Sequence, residues 1–272
     1  MDAAVRVDDE ALWGSEALDL DRYLERIGLP RRDPSAEALA ELHEAHVRTF
    51  TFDDVDVLLE QHPGVDLAAV QEKFLGRGRG GYCFEHSTLF AAALARLGYG
   101  VTRRLGRVGD PVRAARTHLV VGAVVDGRRY FCDTGFGFSI VRPVPWHDAT
   151  EVDFDGSLFR FQHGVHGWEL HRRGSDGWQL MHTTDELPVV PQDVVVGHHF
   201  TSTSPTSHFR RDLVVARLMP EGHVTLTARG ITIRRPGAAT ERRELGPDEV
   251  GDWIRTLAPS LSEDELAALL AR

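Results

Sequence analysis

A chain of 272 residues is long enough to bury a large core, as one large domain or two to three smaller ones. Its 42% hydrophobic and 26% charged residues are ordinary for a globular protein. A formal net charge of −10 argues against a nucleic-acid or anionic-membrane surface and leaves room for a local basic pocket. Two cysteines far apart exclude a disulfide framework or a cysteine zinc site, and a reducing, cytoplasmic setting fits them. The acidic start lacks the apolar core of a signal peptide, and no apolar run reaches the roughly 20 residues of a spanning helix.

Residues 1–98 read as helical. Leu20, Tyr23, Leu24 and Ile27 share one face, closed by Gly28 and Pro30. A second helix is expected after Pro34, with Ser35 as N-cap and Leu39 and Leu42 facing inward. His43 and His46 follow on it. With no acidic or cysteine partner nearby, they are read as solvated or capping histidines rather than a metal pair. A third helix spans roughly 67–75 and ends at Gly76. The stretch Gly78-Arg79-Gly80-Gly81-Tyr82-Cys83-Phe84-Glu85-His86 then joins a glycine-rich turn to a strong helix. In that helix Phe90, Leu94 and Leu97 recur on one face and Gly98 is the stop. Cys83 falls at or near the helix N-terminus, where unpaired N–H groups and the helix dipole stabilise a sulfur anion. Taken alone, such a cysteine is as readily a small buried hydrophobe.

From Tyr99 to about Ser204 the period changes. Strands are expected at 101–108, 118–125 and 128–133, with a polar, exposed loop at 109–116 after the first. Another hairpin, 168–171 with 178–182, is expected around Gly174-Ser175-Asp176-Gly177. Several short strands with turn signals point to a small antiparallel barrel or sheet. Asp126-Gly127 between two β-rich runs marks a two-residue hairpin, which fixes the register. Val125 faces Arg128, Val121 faces Cys132 and Val120 faces Asp133. His118 then shares a face with Asp133 as a diagonal neighbour, with about 7–8 Å between Cα atoms. Cys132 falls on the other face, as packing. Further on, strands at 213–218, 223–228 and 231–233, with a turn at Pro220-Glu221-Gly222, precede helices at about 248–257 and 263–270. Ser262 with Glu265 makes a capping box for the last helix. The chain divides into a helical part, 1–98, a β part, 99–204, and a closing part, 205–272.

The chain thus offers a cysteine at a helix start and a His–Asp pair on one hairpin face. Those are the residue types of a nucleophile, its base and the group that orients the base. Cys83 would attack, His118 would take the thiol proton, and Asp133 would fix the tautomer of His118.

These segments resemble the arylamine N-acetyltransferase family. Arg79-Gly80-Gly81-Tyr82-Cys83-Phe84-Glu85 is similar to its R-G-G-x-C-x-E motif, and Thr117-His118-Leu119 to the segment holding its histidine. Asp133-Thr134-Gly135-Phe136-Gly137 is similar to its D-x-G-F-G segment. Phe50-Thr51-Phe52-Asp53-Asp54-Val55 looks like a changed F-P-F-E-N-L stretch, and Phe200-Thr201-Ser202-Thr203-Ser204-Pro205 also matches. The resemblance implies an α+β fold of N-terminal helical bundle, central antiparallel β-barrel and C-terminal α/β lid, around a cysteine-protease-like Cys-His-Asp core. It implies ping-pong transfer of an acetyl group from acetyl-CoA through a thioester on Cys83 to an arylamine or aryl hydrazine, with no metal. Backbone N–H groups, including that of Cys83, would hold the oxyanion. Phe136 matches a position lining the acceptor pocket. Gly135 and Gly137 suit a tight turn and are the residues expected near the CoA donor. No nucleic acid or membrane is implied as a partner, and a homo-oligomer is left open.

Ser87 stands where the family usually has asparagine, and Asp53 and Asp54 where it has glutamate and asparagine. The triad positions are intact, so these departures bear on the acceptor. Two other readings use the same three residues. One is an amide synthase that releases a polyketide or other acyl chain onto an aromatic amine. The other is a transglutaminase-like Cys-His-Asp hydrolase.

Overall fold

The computed structural model describes residues 9–138, 140–220, 222–235 and 237–272. Glu221, in the turn expected at 220–222, lies outside the described residues, as do the first eight residues.

Helices come first: α1 (Glu10–Trp13), α2 (Leu20–Ile27) and α3 (Ala36–Thr49), then a short strand β1 (Phe52–Asp53) and the single turn α4 (Val55–Leu58). Next, α5 (Leu67–Gln71) runs on into a π turn at Glu72–Gly76, and α6 (Cys83–Leu97) follows. The ends form where the sequence places them. The Ser35 side chain accepts from Ala38 N, and Gly28 and Gly98 close α2 and α6 in the left-handed conformation. Tyr23, Leu24, Leu39, Val70, Phe74, Phe90 and Leu94 share one core with Val121 and Cys132 from the following hairpin. Cys132 therefore packs as the hairpin register requires, and burial pushes its thiol pKa up.

His43 and His46 overturn the expectation that they are solvated or capping. Both are wholly buried. The reason lies in the helix period: 39, 42, 43 and 46 form one face, so the histidines follow Leu39 and Leu42 into the core.

Eight antiparallel strands follow: β2 (Gly100–Val108), β3 (His118–Val125), β4 (Arg128–Cys132), β5 (Val144–Pro145), β6 (Thr150–Phe154), β7 (Ser157–Gly164), β8 (Gly167–Gly174) and β9 (Gly177–Thr184). They form one sheet in the order β5-β4-β3-β2-β9-β8-β7-β6, whose two edge strands approach each other, a near-closed barrel. Val125 pairs with Arg128 and Val121 with Cys132, the register that Asp126-Gly127 dictates, both with positive φ. Strands β6 and β7 were not expected. A second Asp-Gly turn, Asp155-Gly156, joins them and was the available signal. The helix α7 (Pro191–Thr203) was not expected either. It buries only Val194, Gly197 and Thr201, a stripe too thin to read as amphipathic.

The chain ends with β10 (Val214–Met219), β11 (Gly222–Thr227), β12 (Gly230–Arg234) and β13 (Glu241–Glu244), then α8 (Pro247–Leu257) and α9 (Glu263–Leu270). The second sheet runs β1-β10-β11-β12-β13 and buries Val215, Leu226 and Ile231 against Ile254, Leu257 and Leu266. The first 98 residues are thus not purely helical. Phe52 pairs with Ala216 of β10 and bridges Gly81, tying the closing sheet to the turn before Cys83. A two-residue strand is too short to show a period of two. Among the described residues no helix is long and apolar enough to cross a membrane.

Candidate active site

Cys83 is the first residue of α6, and a buried ionic network holds the turn before it. Tyr82 N donates to Glu85 Oε2 at 3.1 Å, and Lys73 Nζ donates to Glu85 Oε1 at 2.7 Å. Lys73 also pairs with Asp56 at 3.2 Å, and Arg79 binds Asp56 at 2.7 Å and Glu265 of α9 at 2.5 Å. Burial would raise the Glu85 pKa, but Lys73 and His62 bring it down to about 2. The arginine and glutamate of the Arg79–Glu85 stretch are therefore structural ions that fix the helix start. Removing one partner of such a buried pair typically costs about 3–5 kcal/mol.

The thiol is only 4% exposed, and its sulfur donates to Thr117 O at 3.4 Å. Next to Thr117, His118 opens β3, while Asp133 lies one residue past β4. Their side chains close the diagonal gap: His118 Nε2 lies 3.1 Å from Asp133 Oδ1 and 3.2 Å from Oδ2. The same imidazole is close enough to Cys83 for that side chain to raise its pKa. The structure thus brings Cys83, His118 and Asp133 together.

Burial alone would lower the His118 pKa. The Asp133 charge and the hydrogen bonds to Asp133 and Cys83 push it up to about 10. Burial would likewise raise Asp133, but His118, and then His182, hold it well below the usual carboxylate range.

The sequence reading did not find His182. It sits in β9, wholly buried, with Nε2 2.9 Å from Asp133 Oδ2. An ionised carboxylate only accepts, so both Nε2 atoms carry hydrogens. Burial first, and then the neighbouring His118 charge, lower the His182 pKa despite its hydrogen bond to Asp133. Only the β2–β9 pairing brings residue 182 beside residue 133, and no local pattern reports it. His118, Asp133 and His182 are also the one metal-type grouping among the described residues. A cation there would have to break the bonds that orient His118.

Phe136 meets His118 edge-on at 5.4 Å between ring centroids and His182 at 5.3 Å. It lines a narrow inner cavity with Phe52, His86, Thr134 and Gly137. Gly135 faces Cys83: a Cβ there would stand 2.6 Å from Cys83 Cα. At Gly137 a Cβ would come 3.0 Å from the Phe52 ring. Both glycines thus have a packing reason independent of any ligand.

The three departures from the family pattern fill structural bonds. Ser87 Oγ donates to Leu119 O at 2.6 Å, linking α6 to β3. Asp54 Oδ1 accepts from Val214 N at 3.0 Å, fastening the closing sheet. Asp53 accepts from Thr51 Oγ1 at 2.9 Å, and burial raises its pKa to about 6.

A helical body, a near-closed antiparallel barrel and a closing α/β layer that meet around a buried cysteine and histidine make this an α+β protein with a candidate active site at the junction. The N-acetyltransferase family model matches this chain over residues 35–257. The arylamine N-acetyltransferase of Mycolicibacterium smegmatis is 35% identical over 251 residues, 88% of this chain and 90% of that protein. Among solved structures, the Nocardia farcinica arylamine N-acetyltransferase is 35% identical with a TM-score of 0.88, covering 97% of each chain. The Mycobacterium marinum arylamine N-acetyltransferase, solved in complex with CoA, is 31% identical with a TM-score of 0.85, covering 93% of this chain and 98% of that one. The chain belongs to the arylamine N-acetyltransferase family and is an acyltransferase.

Proposed function

We propose that this enzyme moves an acetyl group from acetyl-CoA to the nitrogen of an aromatic amine or hydrazine by a ping-pong route through Cys83. The observation that carries the reading is one imidazole, His118, bonded to the Asp133 carboxylate and close enough to the Cys83 side chain for that side chain to raise its pKa. The Cys83 sulfur attacks the thioester carbonyl with its proton already carried by His118 as the imidazolium. Backbone N–H groups of the first turn of α6 bear the developing oxyanion. The C–S bond to CoA then breaks, and the CoA sulfur leaves with the proton from His118. In the second half the acceptor nitrogen attacks the Cys83 thioester, His118 takes the nitrogen's proton, and the sulfur of Cys83 is released and reprotonated. Asp133 holds the imidazole in the required tautomer, and His182 holds Asp133.

Three features support this sequence of steps. The thiol is shielded from water, which protects a thioester from hydrolysis. A flat ring, Phe136, stands against His118, where an aromatic acceptor would stack. A relative at 31% identity binds CoA. The acceptor nitrogen must be unprotonated. Aromatic amines meet that condition at pH 7, whereas alkylamines with a pKa of about 10 do not.

Mass mapping after acetyl-CoA treatment tests the reading. An acetyl group on Cys83 that transfers to an aniline but not to a matched alkylamine is the expected result. An acetyl group on Cys132, or acetate released whatever the acceptor, would overturn it, the latter in favour of a hydrolase.

A further inference from the structure

The last helix reaches back to the turn before Cys83 through one carboxylate. Glu265 of α9 divides its two oxygens between two tasks. Oε2 accepts from Ser262 N and Ser262 Oγ, each at 2.9 Å, and closes the N-terminus of α9. Oε1 accepts from Arg79 Nη2 at 2.5 Å and from Gln61 Nε2 at 2.8 Å. Arg79 Nη1 and Gln61 Nε2 also donate to Asp56 Oδ1, at 2.7 Å and 3.3 Å. Asp56 in turn pairs with Lys73, and Lys73 with Glu85, whose other oxygen holds Tyr82 N. A chain of charges therefore runs from α9 to the residue before Cys83. Burial would raise the Glu265 pKa, but Arg79, Ser262 and Gln61 bring it down to about 2, so it is an anion at neutral pH.

This bond does more than dock the helix. Leu266 and Leu269 already pack α9 in one core with Val55 and Leu58 of α4. Asp56, on that same turn α4, is buried and meets Arg79. Arg79 lies four residues before Cys83, and its N–H donates to Lys73 O at 3.1 Å. The turn between them has no slack. A Cβ at Gly80 would stand 2.0 Å from Thr51 O. Gly81 N donates to Thr51 O at 3.2 Å, and Gly81 O accepts from Asp53 N at 2.7 Å. A shift of the Arg79 guanidinium is therefore passed to the start of α6 rather than absorbed by a loose loop. Glu265 lies outside the 35–257 stretch that the family model matches.

We propose that Glu265 is a positioning residue for Cys83: its carboxylate holds Arg79 in place, so the C-terminal helix sets how fast the thioester on Cys83 forms. This rests on the acyltransfer reading above and adds a residue to it. Glutamine cannot replace Glu265. All four bonds to the carboxylate come from donors, and an amide offers only one oxygen. A glutamine that keeps its oxygen on Ser262, as a capping box allows, turns its NH2 against Arg79 and Gln61.

The test follows Cys83 acetylation by rapid-quench mass spectrometry across acetyl-CoA concentrations, and Cys83 alkylation by iodoacetamide in the resting enzyme. The proteins are the wild type, Glu265→Gln, Arg79→Gln, the double variant and Ser262→Ala. Glu265→Gln should lower the saturating acetylation rate and the alkylation rate by roughly tenfold, the size of a lost charge-assisted hydrogen bond. The half-saturating acetyl-CoA concentration should stay within about twofold, because the donor's binding contacts are untouched. The double variant should be no slower than Arg79→Gln alone, since Glu265 acts through Arg79. Ser262→Ala removes the cap but leaves the pair, so it should lower the urea midpoint without slowing either reaction. Where Arg79→Gln does not fold, Arg79→Lys takes its place in the cycle. Wild-type rates in Glu265→Gln, additive losses in the double variant, or an equal loss in Ser262→Ala overturns the proposal and leaves α9 as packing. Failure of acetyl-CoA to label Cys83 in the wild type would instead sink the acyltransfer route, and the alkylation rates would still decide the role of Glu265.

Discussion

Two buried groups of histidines, one on the helical side of Cys83 and one on the barrel side, have opposite electrostatics. On the helical side His46 accepts or donates through Nδ1 to Tyr23 Oη at 2.9 Å and through Nε2 to His86 Nδ1 at 3.0 Å, and His86 Nε2 reaches Thr51 O at 3.0 Å. Among the described residues no carboxylate hydrogen-bonds to that chain. Burial lowers His43 and His86 to about 4 and His46 well below its usual value. On the barrel side, equal burial is overridden at His118 by Asp133, and the pKa rises to about 10. His182 touches the same carboxylate and is still lowered. At His118 the Asp133 charge outweighs burial, whereas at His182 burial and the His118 charge outweigh the bond to the same carboxylate. The helical histidines pack and relay hydrogen bonds, whereas His118 is equipped to hold a proton.

Removing the carboxylate should erase the contrast. In Asp133→Asn the amide permits the wrong tautomer of His118, and the rate of Cys83 acetylation should fall by about a thousandfold or more. Rapid-quench mass spectrometry reads that rate, and circular dichroism checks that the fold persists. A loss under tenfold would mean that the barrel histidine does not depend on its carboxylate.

Acid should separate the two groups next. A histidine whose pKa is lowered on folding binds its proton more readily in the unfolded chain. Its contribution is complete above about pH 6.5 and is lost as pH falls towards about 4. A shift of that size is worth on the order of 3 kcal/mol per histidine. The raised pKa of His118 works the other way: its contribution is complete below about pH 6.5 and fades as pH climbs through about 10. Urea midpoints measured from pH 7 to pH 4 should fall in the wild type and fall less steeply in His43→Leu. Parallel slopes for the two proteins would show that His43 is not held neutral.

The smallest expected effect sharpens the comparison within the barrel. His182→Phe removes one donor from Asp133 and should slow acetylation by about tenfold, while His182→Gln, which keeps an N–H, should lose less. Equal losses in the two variants would make His182 a packing residue and nothing more.

Much of this protein was legible in its sequence because the signals were local. Ser35, Gly28 and Gly98 set helix ends through hydrogen bonds and backbone preferences that act within four residues. Asp126-Gly127 fixed a register, and the register put His118 and Asp133 on one face. Cys83 at a helix start followed from the glycines before it and the apolar stripe after it. The tertiary structure decided the rest, because those contacts depend on segments far apart in the chain. Asp133 meets His182 across 49 positions through the β2–β9 pairing, and Arg79 reaches Glu265 across 186. Phe52 joins a strand 164 residues later, from Phe52↔Ala216. Arg172 and Arg234 share one aromatic ring from different sheets. The charge on each histidine belongs to this second class. Burial and a neighbouring carboxylate set it, and both are created only when distant strands and helices close on each other.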